Sequence, residues 1–348
     1  MGRRRSRRNK LVFIMVEVMA LLVVAAVAFG FFYVKNLWDK VETADFDAAE
    51  IVTNVDLNQS IPKVTETYTT IAVFGIDARD SETLSKGALS DTNILICINN
   101  DTREICLISI YRDLYVEDTR GDHGKLTEVY HKYGALEQIN TINKNLDLNI
   151  TQYVTVNWKA VADAIDLLGG LDISLTVQEA EGINQYVDEV IEATGISSGH
   201  IPPQAGTQHL DGVQAVTYCR LRNTAGSDYK RTERQRQVLE LMLAQAKAAG
   251  VSKLTQICNT VFPGISTNLK LSDLISMAGD VSRYTVRYTA GFPFRKEDRS
   301  GGGKDYVYSL DLEADVKELH SILYDNQEYT VSSTVKRLSK EMKDKFGD

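Results

Sequence analysis

Thr70-Ile71-Ala72-Val73-Phe74-Gly75-Ile76-Asp77 is an apolar, β-prone run that stops at a carboxylate. It reads as a buried strand ending in a turn. Thr92 to Ile98 and Glu104 to Ile110 are two more such runs, and Asn99-Asn100-Asp101-Thr102 between them is good hairpin chemistry. Strands this apolar are covered on both faces. The covering helices are legible downstream. Val129 to Leu146 has helical spacing (Val129, Tyr133, Leu136, Ile139, Ile142, Leu146), and Trp158 to Leu168 is closed by Gly169-Gly170. Asp211 is an N-cap for a helix through Cys219, and Arg231 to Ala249 is a long helix closed by Gly250. Tyr153 to Val156, Leu171 to Val177 and a stretch near Tyr284 to Ala290 read as further strands, with helices near Leu271 to Ala278 and Leu312 to Leu323. The mixture predicts an α/β fold, an α/β/α sandwich around a central mixed sheet. Residues 69–250 form its main part and 251–328 continue the same fold, while 329–348 is a charged tail, frayed or loosely helical.

Upstream, residues 1–10 are a basic tail with Arg3, Arg4, Arg5, Arg7, Arg8 and Lys10 and no acid. Residues 11–34, Leu11 to Val34, are apolar except for Glu17, to which no function is assigned. At ~1.5 Å per residue this stretch spans ~36 Å, enough for a bilayer core of ~30 Å. A signal peptide has a shorter apolar region and a small-residue cleavage site. Here Tyr33, Trp38 and Lys40 follow instead, an interfacial anchor pattern. The basic flank puts the N-terminus in the cytoplasm and the domain outside, as a single-pass protein of the bacterial cytoplasmic membrane. Residues 35–68 are polar and aperiodic, an extracytoplasmic spacer.

The chain has 39 Lys+Arg and 47 Asp+Glu; without the six basic tail residues the balance is 33 against 47, a net −14. Nucleic acid is excluded as a partner, because phosphate neutralisation needs a basic face. The only basic patch of that kind is the tail before the span. Cys97, Cys106, Cys219 and Cys258 lack metal-ligand spacing and are too few for a disulfide scaffold. Cys97 and Cys106 fall on neighbouring strands, which leaves a bridge open.

There is no phosphate loop, dinucleotide glycine fingerprint or paired-His zinc signature, and the five histidines are scattered. Gly195-Ile196-Ser197-Ser198-Gly199 fits a nucleophile elbow but has a helix-like run before it and Pro202-Pro203 after it, so it reads as a surface loop. Ser300 to Gly303 is a turn. The strongest constellation is Arg220 and Arg222, then Asp228, Arg231, Arg234 and Gln235. The last three stand at i, i+3 and i+4 on one helix face. Guanidinium forks suit bidentate phosphate contacts; a solvated face paired with Asp228 and Glu233 is the alternative. Ser109-Ile110-Tyr111-Arg112-Asp113 adds a charged pair directly after a buried strand, where sites in open α/β sheets form. Asp77, with Arg79 beside it, and Asp91 lie at neighbouring strand ends, where two carboxylates can share Mg²⁺ with substrate phosphates.

These residues resemble the LytR-CpsA-Psr family of cell-wall enzymes. The matching pieces are Phe74-Gly75-Ile76-Asp77-Ala78-Arg79, Ser90-Asp91-Thr92, Ser109 to Asp113, Lys125-Leu126 with Tyr130 and Tyr133-Gly134-Ala135, Gly169 to Asp172, Leu210-Asp211-Gly212, Tyr218 to Arg222, and Asp228-Tyr229-Lys230-Arg231-Thr232-Glu233-Arg234-Gln235. They cover about Ile71 to Ala249. The resemblance implies a hydrophobic pocket for a polyprenyl chain and a Mg²⁺-dependent phosphotransferase. Such an enzyme moves a glycopolymer, teichoic acid or capsule, from polyprenyl pyrophosphate onto a peptidoglycan acceptor. By position, Asp77 and Asp91 would be Mg²⁺ ligands, and Arg112, Arg220, Arg222, Arg231 and Gln235 would hold the pyrophosphate, with Lys125 and Arg234 close by. Asp91, Arg112 and Arg220 are the expected catalytic residues, with Asp91 as base.

Three departures stand out. Leu89 occupies the place of a common arginine, Tyr111 that of a common proline, and Thr127-Glu128 that of Asn-Ala. Losing a charge-assisted phosphate bond costs ~1.5–3 kcal/mol; Arg79 is a candidate substitute. Two alternatives keep the same site: a hydrolase of polyprenyl pyrophosphate, and a non-enzymatic envelope protein that binds lipid phosphates.

Overall fold

The computed structural model describes residues 35–36, 38–43, 50–52, 64–77, 84, 86–222, 227–301, 303–325 and 329–347. The chain divides into Met1–Val41 and Glu42–Asp348. In the first unit the described residues form a short helical turn, the Asp39 amide donating to the Lys35 carbonyl at 2.9 Å. The expected membrane span at 11–34 lies outside the described residues, among which no helix is long and apolar enough to cross a membrane.

In the second unit the elements run β1 (Glu42–Thr43), α1 (Val64–Thr67), β2 (Tyr68–Ile76), β3 (Ser90–Asn99), β4 (Glu104–Ile110), β5 (Tyr115–Glu117), β6 (His123–Lys125), α2 (Leu126–Tyr133) and α3 (Ala135–Leu146). Then come β7 (Gln152–Asn157), α4 (Trp158–Leu168), β8 (Leu171–Leu175), α5 (Val177–Thr194), β9 (Gly206–Leu210), α6 (Gly212–Arg220), α7 (Ser227–Ala248) and α8 (Val251–Val261). The last are β10 (Ile265–Thr267), α9 (Leu271–Gly279), β11 (Thr285–Phe292), β12 (Lys296–Gly301), β13 (Lys304–Ser309), α10 (Leu312–Leu323) and α11 (Ser333–Phe346).

The central sheet is mixed, with strand order β1-β10-β7-β2-β3-β4-β11. The period of two along the apolar strands explains why both faces are covered. Cys106, Ile108 and Ile110 of β4 join one core with α2, α3, α10 and α11. Ile105 and Leu107 of the same strand turn the other way and meet Leu239 and Leu243 of α7. On that second face α4, α5 and α6 pack through Ala162, Val187, Val190, Val213 and Val216. Cys97 and Cys106 stand directly opposite one another in the β3–β4 ladder, both as free thiols.

Three sequence expectations need correction. The single helix read from Val129 to Leu146 is two, α2 and α3, broken at Gly134 with φ +84°, a conformation that favours glycine. The spacer is not wholly detached: Glu42–Thr43 pair with Ser266–Thr267. Further on, the buried amide of Asn140 accepts from the Val52 N–H at 2.9 Å and donates to the Glu50 carbonyl at 2.9 Å. Amide side chains satisfy aperiodic backbone without any apolar pattern, which is why the sequence hid this docking. Nor is the tail frayed. Ser332 caps α11, accepting from the Val335 N–H at 3.1 Å, and Val335, Leu338, Met342 and Phe346 are buried in the core. Its lysines mask an apolar stripe at three-to-four spacing.

Candidate functional site

At one end of the sheet Gly75 pairs with Thr92 and Ile76 with Ser90, so Asp91 is the extra residue of a β-bulge. Bulges twist a strand and re-aim side chains. Gly75 is required beside it, because a Cβ there would lie 2.8 Å from the Cβ of Thr92. Asp77 follows β2 directly, so the two carboxylates leave neighbouring strands at the same rim, and both line one cleft of about 650 Å³.

Arginines converge on that rim from three directions. Arg112, just after β4, contacts the Asp91 carboxylate, and its Nε lies 3.4 Å from Asp113. Lys125, ending β6, reaches Asp113 at 3.1 Å and thus stands one residue back from the cleft. Arg220 ends α6, a helix started by the Asp211–Gln214 capping box. Its guanidinium lies 4.0 Å over the Trp158 ring and 3.5 Å from Glu189, and its Nη1 is buried without a partner among the described residues. Arg222 is 3.9 Å from Asp91 and 4.0 Å from Asp228.

Below the cleft lies an apolar pocket of about 230 Å³, lined by Ile94, Val156, Trp158, Val216, Val238 and Met242 among others. Asp91 and Arg220 line both cavities, so the charged rim sits on top of the apolar one. Arg231 and Gln235 of α7 also line the pocket. The Arg231 side chain is only 2% exposed and is held by Asp228 at 3.0 Å. Its Nε and Nη1, and the Oε1 of Gln235, have no partner among the described residues. Burial pulls the Arg231 guanidinium below its usual value, opposed by Asp228, and pushes the Asp228 carboxyl up, opposed by Arg231. Unpaired buried donors are costly and rare. Two of them on a guanidinium at the boundary of a polar and an apolar cavity fit an anionic ligand with a hydrocarbon tail.

Not every expected residue joins. Arg234 lines neither cavity; its Nε binds Glu179 at 3.0 Å and its Nη1 donates to the Leu221 carbonyl at 2.9 Å. At 100° per residue Arg234 lies 60° to one side of Arg231 and Gln235 40° to the other, and Arg234 turns outward from that shared face to tie α7 to α5. Arg79 lies outside the described residues. Both Asp91 oxygens face guanidinium groups, so the geometry favours a charge-holding role over the proton-accepting one expected of it. Leu89 does line the cleft, 37% exposed. Trp158, Tyr186 and Glu189 of the cavity walls were not read from the sequence. In Gly195–Gly199, the Ser198 hydroxyl donates to Asp211 at 2.6 Å within the loop after α5.

Asp77 and Asp91 are hard oxygen donors at a shared rim, a set that fits a divalent cation completing its shell from phosphate oxygens.

A family model, LytR_cpsA_psr, matches residues 31–314. The chain belongs to the LytR_cpsA_psr family. Among its relatives, the polyisoprenyl-teichoic acid–peptidoglycan teichoic acid transferase TagT of Bacillus subtilis (strain 168) is 28% identical over 283 residues, 79% of this chain and 84% of that protein. Protein gbs0355 of Streptococcus agalactiae shares the fold with a TM-score of 0.63 at 22% identity, covering 78% of this chain and 93% of that one. TagT with bound octaprenyl pyrophosphate lipid superposes with a TM-score of 0.55 at 19% identity, covering 82% and 99%. This LytR_cpsA_psr chain thus has the family's mixed α/β fold.

Proposed function

We infer that this LytR_cpsA_psr protein is a membrane-anchored phosphotransferase that moves a glycopolymer from a polyprenyl pyrophosphate carrier onto peptidoglycan. The observation that carries the reading is the pair of guanidinium groups, Arg220 and Arg231, each with at least one buried nitrogen lacking a partner among the described residues, where the charged cleft meets the apolar pocket. The names of TagT and its solved complex support it. So do the basic residues 3–10 and the apolar residues 11–34, which fit an anchor with the domain outside.

In this reading the polyprenyl chain enters the apolar pocket and the pyrophosphate rests on Arg112, Arg220 and Arg222, with Arg231 and Gln235 beneath. Asp77 and Asp91 would hold Mg²⁺, which when bound supplies charge neutralisation at the phosphates. An acceptor hydroxyl oxygen attacks the phosphorus that carries the glycan, and the bond from that phosphorus to the bridging oxygen breaks. Polyprenyl monophosphate leaves, and the hydroxyl proton passes to a carboxylate of the cleft wall; Glu189, 60% exposed and with one oxygen facing Arg220, is more open to it than Asp91, whose two oxygens both face guanidinium groups. Positioning and charge stabilisation dominate such chemistry. Arg112→Ala and Arg220→Ala should each lower transfer on the order of 100-fold or more while the protein stays folded, the scale seen when one stabilising donor is removed. Undiminished transfer by both variants rules the reading out.

A further inference from the structure

Arg112 belongs to the end of a sheet strand, whereas Asp228 and Arg231 belong to a helix of the covering layer. A pyrophosphate held by both needs a fixed distance between sheet and helix; Ile105 and Leu107 packed on Leu239 and Leu243 set it further along β4 and α7, away from the ends that carry the charges. At those ends the residues next to them in sequence set it. Tyr111, before Arg112, and Tyr229, after Asp228, meet edge to face with ring centroids 4.9 Å apart and planes at 73°. That is a preferred geometry for aromatic pairs, and it is directional. Lys296 of β12 puts its ammonium 5.2 Å from the Tyr111 centroid and 5.0 Å from that of Tyr229, so one cation faces both rings. Two residues on, Asp298 accepts the Tyr229 hydroxyl hydrogen bond. The far side is equally specific. A Cβ on Gly291 of β11 would collide with the Tyr111 hydroxyl, and the Tyr111 N–H donates to the Phe292 carbonyl at 3.2 Å.

The geometry points to Tyr111, Tyr229 and Lys296 as a positioning clamp that fixes Arg112 relative to Asp228 and Arg231. Plain core packing also accounts for two touching tyrosines. It does not account for a shared cation, a hydroxyl tied to the same strand as that cation, and chain adjacency to the charged groups on both sides. The clamp rests on the polyprenyl pyrophosphate reading above and says what keeps that site in register.

Full-length protein in detergent is titrated with octaprenyl pyrophosphate and, separately, with octaprenol, which lacks the phosphates. Tyr229→Ala and Tyr111→Ala should bind octaprenyl pyrophosphate about tenfold more weakly, and transfer should fall on the order of 100-fold, the effect of an ~1 Å misplacement. Octaprenol affinity should stay within about twofold, because the apolar pocket is untouched. Tyr111→Phe keeps the ring and should restore most of the loss. Lys296→Met, which keeps the stem at a half-buried position, should show the same selective weakening to a smaller degree. Alanine variants that match wild type for both ligands, or that lose both ligands in parallel, overturn the clamp. Wild-type protein that binds octaprenol but not octaprenyl pyrophosphate overturns the reading beneath it.

Discussion

Leu89 lines the charged cleft with more than a third of its surface exposed, at the place where the sequence resemblance leads us to expect arginine. An apolar side chain there leaves the rim one phosphate donor short. Leu89→Arg should therefore tighten octaprenyl pyrophosphate binding about tenfold, the value of one charge-assisted hydrogen bond of ~1.5 kcal/mol, as read by titration calorimetry. An unchanged affinity would mean that the position does not reach the phosphates. Arg234 teaches the complementary lesson at this scale. Its charge and spacing were legible, but its direction was not, because i+3 and i+4 neighbours diverge by 100° and the choice rests on tertiary partners, among them Glu179, the Leu221 carbonyl and the Tyr218 ring.

The carboxy-terminal elements are held by a buried polar cluster. Asp147, in a left-handed conformation after α3, accepts from the Ser332 N–H at 2.9 Å, the Ser332 hydroxyl at 2.7 Å and the Tyr329 hydroxyl. His320 of α10 stacks on Tyr329 at 3.7 Å and its Nε2–H donates to the Leu146 carbonyl at 3.0 Å, while its Nδ1 has no partner among the described residues. Burial depresses the imidazole from 6.5 to about 4. The folded state thus keeps His320 neutral where the unfolded chain takes up a proton. Its contribution is complete above pH ~6.5 and is lost as pH falls toward 4, by at most ~1.4 kcal/mol per unit. Urea midpoints should drop between pH 7 and pH 5 in the wild type, and His320→Asn should flatten that part of the profile from a lower baseline. Parallel profiles for both proteins would assign the acid sensitivity elsewhere. None of this was visible in a tail whose charged residues outnumber its apolar ones.

Across the whole molecule, the layered plan followed from the β-branched runs ending at Asp77, Asp91 and Arg112, since strand ends gather whatever polar residues terminate them. The walls were hidden for a different reason. Tyr186 and Glu189 sit on a helix whose polar face looks solvated in sequence, and only the packing of Val187 and Val190 against Val213 and Val216 carries α5 to Arg220. The apolar pocket was equally unreadable as a pocket, because its lining comes from β2, β3, β7, α4, α6 and α7 and reads as ordinary core in each. A charged cleft over an apolar cavity is a property of the assembled layers. It is also what separates a site for a lipid-linked phosphate from one for a simple phosphate. The most direct test incubates the full-length protein with Mg²⁺, a polyprenyl-pyrophosphate-linked glycopolymer and peptidoglycan, and follows the products by mass spectrometry. The account predicts a phosphodiester joining polymer to peptidoglycan, formed in step with polyprenyl monophosphate. Intact substrate, or polymer phosphate released into water at the same rate with and without peptidoglycan, would contradict it.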